Sequence, residues 1–394
     1  MKNRLLIVGF SLLGVAIVAQ SQSVEDAVMR LAITLFAFGC SGVLFGQTKF
    51  MNGYFGVAAG SFTASDLVAI QLHTNDVWAS PMIGVEYRAN GEILRALKEN
   101  QTAQLAELKT GKSNTLNLIW LSACDVTTAA VTADCTLGGV ELASNVKEMT
   151  LSQDRMSEFF VNHKEWRTNA FTKEDAIAKG LLKASAKLDN YIAEAAVAYL
   201  NNFAGVNQYT TGMFGGTGDD ELASGSWTAD LFSEFNVLAI KNHMDSPYML
   251  SGLNLYKEAL NAGWVQGNAN NKDQAVKFAT MPTYWDLFNI ETVNVSDRVT
   301  YLINKGAVAI ETKTYHDKET PEVFNGAGQT RYTMTSKNFP WIKYDVWYQD
   351  ICSGSEITHH FRLVATYGIW NNPIGCNSEE TGVLRLFNGT QSGS

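Results

Sequence analysis

The sequence has few prolines and cysteines and no long run of charge of one sign. Its 394 residues include 6 Pro and 5 Cys, with 46% hydrophobic and 11% aromatic residues. This composition excludes a disordered, collagen-like or coiled-coil protein, and the length allows one large domain or a few smaller ones. The formal net charge of −9 lacks the basic excess typical of nucleic-acid-binding proteins. Only folding decides, however, which of the dispersed lysines lie together on one face.

The cysteines form no metal or redox motif. They are Cys40, Cys124, Cys135, Cys352 and Cys376, and no pair has the C-x-x-C spacing. Zinc ligation and thioredoxin-type chemistry are therefore not expected. Two alternatives stay open: reduced thiols in a cytosolic protein, which we favour, or two disulfides with Cys40 left over.

Motifs that bind phosphate or dinucleotides are incomplete. KTGKS at 109–113 ends like a phosphate-binding loop, but Ala106 stands where that motif needs its first glycine. Gly216 and Gly218 lack the third glycine of a dinucleotide loop, because Glu221 occupies that position. A G-x-S-x-G nucleophile elbow is also missing from the sequence.

The remaining candidates for chemistry have equally plain explanations. Asp219, Asp220 and Glu221 are adjacent and do not follow the alternate spacing of a calcium loop. His359 and His360 fall in a predicted strand, where neighbours face opposite sides, so we expect one packed and one exposed histidine. We therefore predict no catalytic, cofactor-binding or metal-binding residue and no enzymatic activity.

The first fifty residues are apolar and allow three interpretations. Lys2 and Arg4 precede an apolar run from Leu5 to Ala19, and a second apolar stretch extends from Leu31 to Gly46. The first run has the layout of a secretory signal, and the second is slightly short for a membrane span. An export signal, a pair of membrane helices and an arm buried against neighbouring copies all remain open.

The clearest predicted element is a helix from Lys173 to Ala204. Thr172 is placed to cap its start and Gly205 to end it. Apolar residues recur along it three or four positions apart, at Ile177, Leu181, Ala184, Leu188, Ile192, Ala195, Tyr199 and Phe203. The opposite face is predicted to be polar, with Lys179, Lys183, Lys187, Asp189 and Glu194.

The rest of the chain predicts an α+β layout without alternating βαβ units. Further helices are predicted at 229–243 and 254–262. Strands are predicted at 116–124, 140–151, 158–161, 248–250, 301–312, 344–348, 359–369 and 382–387.

Two further features are interpreted from their polarity and spacing. The segment from Gly84 to Lys112 is charged, and we expect it to project from the fold rather than enter the core, with apolar positions at Leu94, Leu97, Leu105 and Leu108. The aromatic residues Trp341, Tyr344, Trp347 and Tyr348 lie close together in the sequence, and we interpret them as core and subunit-contact residues rather than as a stacking surface for sugars or bases.

Three places within residues 116–390 carry a family resemblance. The first is the strand-rich region 124–160, which leads into the long helix with LDNYI at 188–192. The second is DSPYMLSG at 245–252. The third is YLINKGAVA at 301–309, followed by YDV at 344–346, NPIGC at 372–376 and GVL at 382–384. In their order and local sequence, these segments resemble the major capsid proteins of tailed bacteriophages, particularly phages that infect Bacteroidetes.

The resemblance implies a Hong-Kong-97-type fold. Residues 1–50 stay an apolar arm, signal or membrane segment on their own composition, and the resemblance assigns 51–115 to the N-terminal arm and extended loop and 116–245 to a peripheral domain with its spine helix. It assigns 246–340 to an axial domain and 341–394 to the return through the peripheral sheet. Gly84 to Lys112 then belongs to the extended loop.

The resemblance also implies a function without catalysis or cofactor. The chain is expected to assemble with itself into hexamers and pentamers of an icosahedral shell, in the bacterial host cytoplasm, around non-specifically bound double-stranded DNA. Scaffold, portal and decoration proteins are further possible partners. The residues expected to carry folding and assembly are Leu181, Leu188, Ile192, Tyr199, Phe203, Pro247, Gly252, Gly306, Trp347 and Pro373.

The apolar N-terminus departs from this family, whose members usually begin with a polar arm or a removable scaffolding segment. The alternative is therefore an exported or membrane-anchored bacterial surface protein with two disulfides and a binding role. Membrane contact by residues 1–50 belongs to this alternative.

Overall fold

The computed structural model describes residues 62–80, 84–101, 115–121, 144–162, 172–204, 221–222, 231–261, 281–316, 318–324, 329–353, 356–371 and 382–388. All of them belong to one of the two units into which the chain divides, residues 62–394. The expectations for residues 1–50, for 109–113, for 216–220 and for Gly205, Pro373 and the cysteine side chains lie outside the described residues.

Helices and strands in the described ranges form an α+β fold, as predicted. The helices are α1 Ala64–Ala79, α2 Glu92–Asn100, α3 Lys173–Phe203, α4 Leu231–Lys241, α5 Leu253–Asn261 and α6 Asn289–Asn294. The first strands are β1 Thr115–Leu121, β2 Ser144–Thr150, β3 Gln153–Asn162, β4 Glu221–Leu222, β5 Pro247–Ser251 and β6 Thr283–Trp285. The later strands are β7 Val299–Asn304, β8 Val308–Lys313, β9 Glu322–Phe324, β10 Gln329–Thr335, β11 Lys343–Ser353, β12 Glu356–Asn371 and β13 Val383–Asn388.

The long helix α3 confirms its predicted start and differs by one residue at its end. The hydroxyl of Thr172 accepts a hydrogen bond from the Asp175 backbone N–H at 3.2 Å, which satisfies one of the free donors of the first turn. Its 31 residues bury the apolar stripe, with Ile177, Leu181 and Ile192 fully inaccessible. The buried stripe holds α3 against α1, β3, β12 and α6.

The larger sheet has the strand order β3-β12-β11-β10-β9, and β8 pairs with the far end of β12. All of its pairings are antiparallel. We call the side packed against α3 the inner face; it carries Val346, Tyr348, Phe361 and Leu363, which are buried. The opposite side is the outer face, because strand neighbours alternate between the two.

The second sheet has the strand order β4-β13-β7-β5-β6. Its core is formed by side chains from β5, β7 and β13 together with α4 and α5, including Met249, Leu302, Leu386 and Phe235. β1 and β2 pair with each other as a separate antiparallel ladder.

The segment predicted as one strand from Tyr301 to Thr312 is two strands in different sheets. β7 pairs with β5 and β13, whereas β8 pairs with β12. The turn between them has Gly306 at φ 80°, in the left-handed region that glycine adopts without a steric cost. The sheets therefore cross the predicted domain boundary at 340, since β8 and β10 pair with strands beyond it and β13 pairs back with β7.

The prediction that Gly84 to Lys112 projects is wrong for α2. Ile93, Leu94, Ala96 and Leu97 are fully buried, and α2 packs against β8 and α3. The charged residues that suggested a projection share the helix with these side chains but occupy its other side, as in any amphipathic surface helix. Residues 102–112 lie outside the described residues. Among the described helices, none has the length and apolar character needed to cross a bilayer.

Candidate functional site

Within the described ranges, no group of three His, Cys, Asp or Glu side chains converges as metal ligands would. Two clusters of polar side chains lie between α3 and the larger sheet. Exposed large apolar side chains of that sheet lie on its outer face. The two clusters attach α3 to the inner side of the larger sheet, and the outer face is the opposite, exposed side of that sheet.

The first cluster surrounds Asp189 of α3. The Ser336 hydroxyl donates to Asp189 Oδ2 at 2.7 Å, the Asn338 amide donates to the same oxygen at 3.2 Å, and the Tyr344 hydroxyl donates to Oδ1. Asp189 is fully inaccessible, so the prediction that it lies on the exposed polar face of the helix is wrong. Three donors on the segment after β10 and on β11 compensate its burial, which helical periodicity alone does not reveal.

Burial dominates the electrostatics of this cluster. It raises the pKa of Asp189 to about 6, although the hydrogen bonds from Tyr344, Ser336 and Asn338 oppose the increase. The pKa of Tyr344 is raised well above its ordinary value by burial and by the nearby carboxylate. Asp189 thus joins the middle of α3 to the sheet. Its carboxylate is costly to bury, and both of its oxygens accept hydrogen bonds.

The second cluster surrounds His359 at the start of α3. Lys173 Nζ lies 2.5 Å from His359 Nε2, and His359 Nδ1 lies 2.7 Å from Asp350 Oδ1. An ammonium group only donates, so Nε2 accepts and Nδ1 carries the hydrogen that is donated to Asp350. The Tyr348 hydroxyl also donates to Asp350 and accepts the Phe62 backbone N–H at 3.0 Å.

This arrangement places the Lys173 amine beside an imidazole and an aromatic ring, in a partly buried position. Burial lowers the pKa of Lys173 to about 8, and its Nζ lies 4.2 Å from the centre of the Phe62 ring. Burial and the hydrogen bond to Asp350 raise the pKa of Tyr348. The cluster connects the first turn of α3, β11, β12 and the chain segment before α1.

The outer face of the larger sheet exposes large apolar side chains. Met156 is 60% exposed, Phe160 65% and Ile351 44%. They line or flank a shallow cleft of about 560 Å³, whose walls include Trp347 and His360. Exposed apolar side chains grouped on one face of a sheet are a candidate contact with another molecule.

Charged side chains lie on the same face. The guanidinium of Arg331 lies 3.7 Å from the centre of the Trp347 ring, and Arg362 pairs with Glu158 across β12 and β3. The Phe160 ring stacks on His360 at 5.5 Å between centroids. The face therefore mixes apolar and charged side chains, because the Arg362–Glu158 pair lies between Met156 and Phe160 along β3.

The predicted residues of the long helix lie together but have different surroundings. Leu181, Leu188 and Ile192 are buried on the side facing the sheet and α1. Tyr199 and Phe203 stack at 4.3 Å near the end of the helix, where the Tyr199 hydroxyl donates to Asn371 Oδ1 at 3.2 Å.

The predicted residues outside the helix do not join them in one site. Pro247 begins β5, and a Cβ on the buried Gly252 would meet the Asp297 carbonyl oxygen at 2.9 Å. Gly306 forms the turn between the two sheets, and Trp347 lies on the outer face. These positions fix turns and close backbone contacts, and Trp347 alone among them lies on the candidate surface.

Of the four aromatic residues at 341–348, Tyr344 and Tyr348 are core residues, as expected. Tyr344 and Tyr348 are buried on the inner face, whereas Trp347 lies on the outer face and Trp341 lies in the turn before β11, near Lys98. Alternation along β11 separates neighbours that are close in sequence. The two histidines follow the same rule as predicted: His359 is fully buried and His360 is half-buried on the outer face.

Sequence reasoning did not single out Lys173, Ser336, Asn338 or Asp350. One signal was available for Asp350, because it shares the inner face of β11 with Val346 and Tyr348. A carboxylate at an apolar position of a strand indicates a buried partner. Ser336 and Asn338 lie in an irregular segment, where no periodicity identifies them.

Comparison with known proteins gives similar solved structures but no family. No family model matches the chain, and no curated protein matches it. A chain titled "Mycobacterium phage Che8" is similar at a TM-score of 0.45 and 11% identity, covering 78% of this chain and 94% of that chain. "Cyanophage A-1(L) capsid asymmetric unit" aligns at 0.46 and 10% identity, covering 79% and 96%. "Cyanophage Pam1 capsid asymmetric unit" aligns at 0.46 and 11%, covering 79% and 95%.

Proposed function

We propose that this chain is the major capsid protein of a tailed bacteriophage, of the kind found in phages that infect Bacteroidetes. It adopts the Hong-Kong-97-type fold and self-associates into hexamers and pentamers of an icosahedral shell that encloses double-stranded DNA. Its work is assembly in the host cytoplasm, without catalysis or cofactor. The observation that carries the proposal is the exposed apolar outer face, with Met156, Phe160 and Ile351, on a sheet braced by the long helix.

The bracing supports a structural role because it makes the exposed face rigid. The Asp189 and His359 clusters attach the middle and the start of α3 to the inner face of the same sheet. A preorganised surface loses little conformational freedom on association, so weak contacts suffice when each subunit has many neighbours. The sequence motifs within residues 116–390 that resemble tailed-phage capsid proteins support the same proposal independently of this face.

Electron microscopy of the expressed full chain tests the proposal. We expect closed shells, tubes or capsomer-sized rings in negative stain, and a fast-sedimenting species in a velocity run of the same fraction. A chain that stays monomeric, or that is confined to membrane and periplasm with oxidised cysteines, contradicts the proposal and favours the exported surface protein.

A further inference from the structure

The solvent side of α3 carries a stripe of like charge. Lys179, Lys183 and Lys187 follow one another at four-residue spacing; Lys183 and Lys187 are exposed and Lys179 is half-buried. Residues four apart lie one above the other on a helix, so the three ammonium groups share one side over about 12 Å. We call these three residues the lysine stripe.

Along the helix, no acidic residue lies three or four positions from Lys183 or Lys187. Asp189 was expected on this side but is buried in the first cluster. Asp175, four residues before Lys179, accepts from His73 at 2.6 Å and from Thr172 at its start. The next acidic residue on this side is Glu194, seven positions beyond Lys187. In the part of the chain that is described, Lys183 and Lys187 have no ion-pair partner.

One flank of the stripe adds a further positive charge. On the β3 side, the guanidinium of Arg155 lies 4.2 Å from the centre of the Tyr191 ring, one helical turn beyond Lys187. On the other side, the turn Val85–Tyr87 packs against α3 and exposes Glu86 and Arg88, whose charges offset each other. The patch is therefore locally basic although the whole chain carries −9.

Like charges four residues apart repel each other and lower helix stability, so folding alone does not favour this placement. A polyanion relieves that repulsion. We propose that the lysine stripe, with Arg155 beside it, contacts the phosphate backbone of double-stranded DNA. This inference rests on the proposed function, which puts a DNA duplex on one side of the shell.

The chemistry of the stripe matches this partner. A duplex presents about seven phosphates along 12 Å of its axis, more than the three ammonium groups require. Lysine side chains are flexible point charges that bind phosphates without a fixed geometry, unlike the bidentate arginine contacts that read bases. The contact is therefore independent of DNA sequence and strongly dependent on salt.

Binding of a fluorescein-labelled random-sequence duplex by the full chain tests the inference. The variant Lys179→Gln/Lys183→Gln/Lys187→Gln removes the stripe and keeps residues of good helix propensity. The matched control Lys241→Gln/Lys257→Gln/Lys305→Gln makes the same change in net charge at exposed positions around the second sheet. We expect the slope of log K against log salt to become shallower by about 2.7 in the stripe variant only, with affinity at least about tenfold weaker near 0.1 M salt.

Three results would overturn the inference. Equal losses in both variants would mean that only net charge matters, and unchanged binding by the stripe variant would mean that the stripe is not the contact. Loss of binding to phosphatidylserine vesicles with unchanged duplex binding would assign the stripe to a membrane surface. Sedimentation of the same preparations separates the two proposals, because shells that bind DNA without the stripe overturn this inference alone, whereas a monomeric chain overturns the proposed function.

Discussion

At the residue scale, Asp189 is the side chain whose surroundings have the clearest energetic consequence. Its pKa of about 6 in the folded chain lies above the ordinary value of 3.8. The protonated form is therefore favoured by folding, and this contribution is fully present below pH 3.8 and lost as the pH rises through 6. As the pH rises between these limits, the free energy of unfolding therefore falls by about 3 kcal/mol because of Asp189.

Replacing Asp189 by Asn tests this dependence. The neutral amide does not titrate, so the free energy of unfolding of the Asn variant relative to wild type should improve by about 3 kcal/mol between pH 4 and pH 7. Urea unfolding at the two pH values measures it. Asp189→Ala leaves three buried donors without an acceptor and should cost about 2–4 kcal/mol at pH 7. A wild-type-to-Asn difference that stays constant with pH would contradict a titrating carboxylate at this position.

Gly252 gives a second prediction at this scale. A Cβ there would meet a backbone carbonyl at 2.9 Å, and backbone cannot move aside as a side chain does. We expect Gly252→Ala to lower the free energy of unfolding by about 1–3 kcal/mol, the usual cost of an overpacked position. Gly180→Ala is the matched comparison, because its Cβ would meet the Phe159 ring. A smaller loss at Gly180 is expected, since a ring can rotate; equal losses would remove the argument from backbone contact.

At the element scale, the long helix separates a buried side from an exposed one along a single periodic pattern. Leu188→Asp/Ile192→Asp puts two carboxylates into the buried side, and each costs several kcal/mol, a large part of a typical domain's stability. We expect loss of the cooperative thermal transition seen by circular dichroism. Lys183→Asp/Lys187→Asp adds the same two residues to the exposed side and should keep that transition. A folded double variant at 188 and 192 would refute the placement of the helix.

The helices and strands also show which features of the fold could be predicted from the sequence and which could not. The start, end and apolar stripe of α3 follow from its cap and its period, because both are local. Asp189 did not follow, since its three donors come from Ser336, Asn338 and Tyr344, which are far away in sequence. The division of 301–312 between two sheets was hidden for the same reason: strand pairing depends on distant partners, and the turn at Gly306 is short.

At the scale of the whole molecule, the outer face predicts how copies associate. Met156→Ser/Phe160→Ser removes two exposed apolar side chains without touching the core, so the fold should persist while assembly weakens. Sedimentation velocity should show the assembled fraction falling severalfold at equal protein concentration. Ile240→Ser, a 74% exposed side chain on α4 beside the second sheet, is the matched control and should leave assembly unchanged. Equal sedimentation of wild type and the double variant would remove the outer face from the interface.

β12 sets how this molecule responds to tension. Its 16 residues are paired on one edge with β3 and on the other with β11 and then β8. A pull along this strand is opposed by both rows of hydrogen bonds at once, as shear, so no single bond can open first. A pull across the sheet instead peels β9 away from β10, where three residue pairs resist among the described residues. The subunit should therefore be mechanically anisotropic, stiff along β12 and weak at the β9 edge.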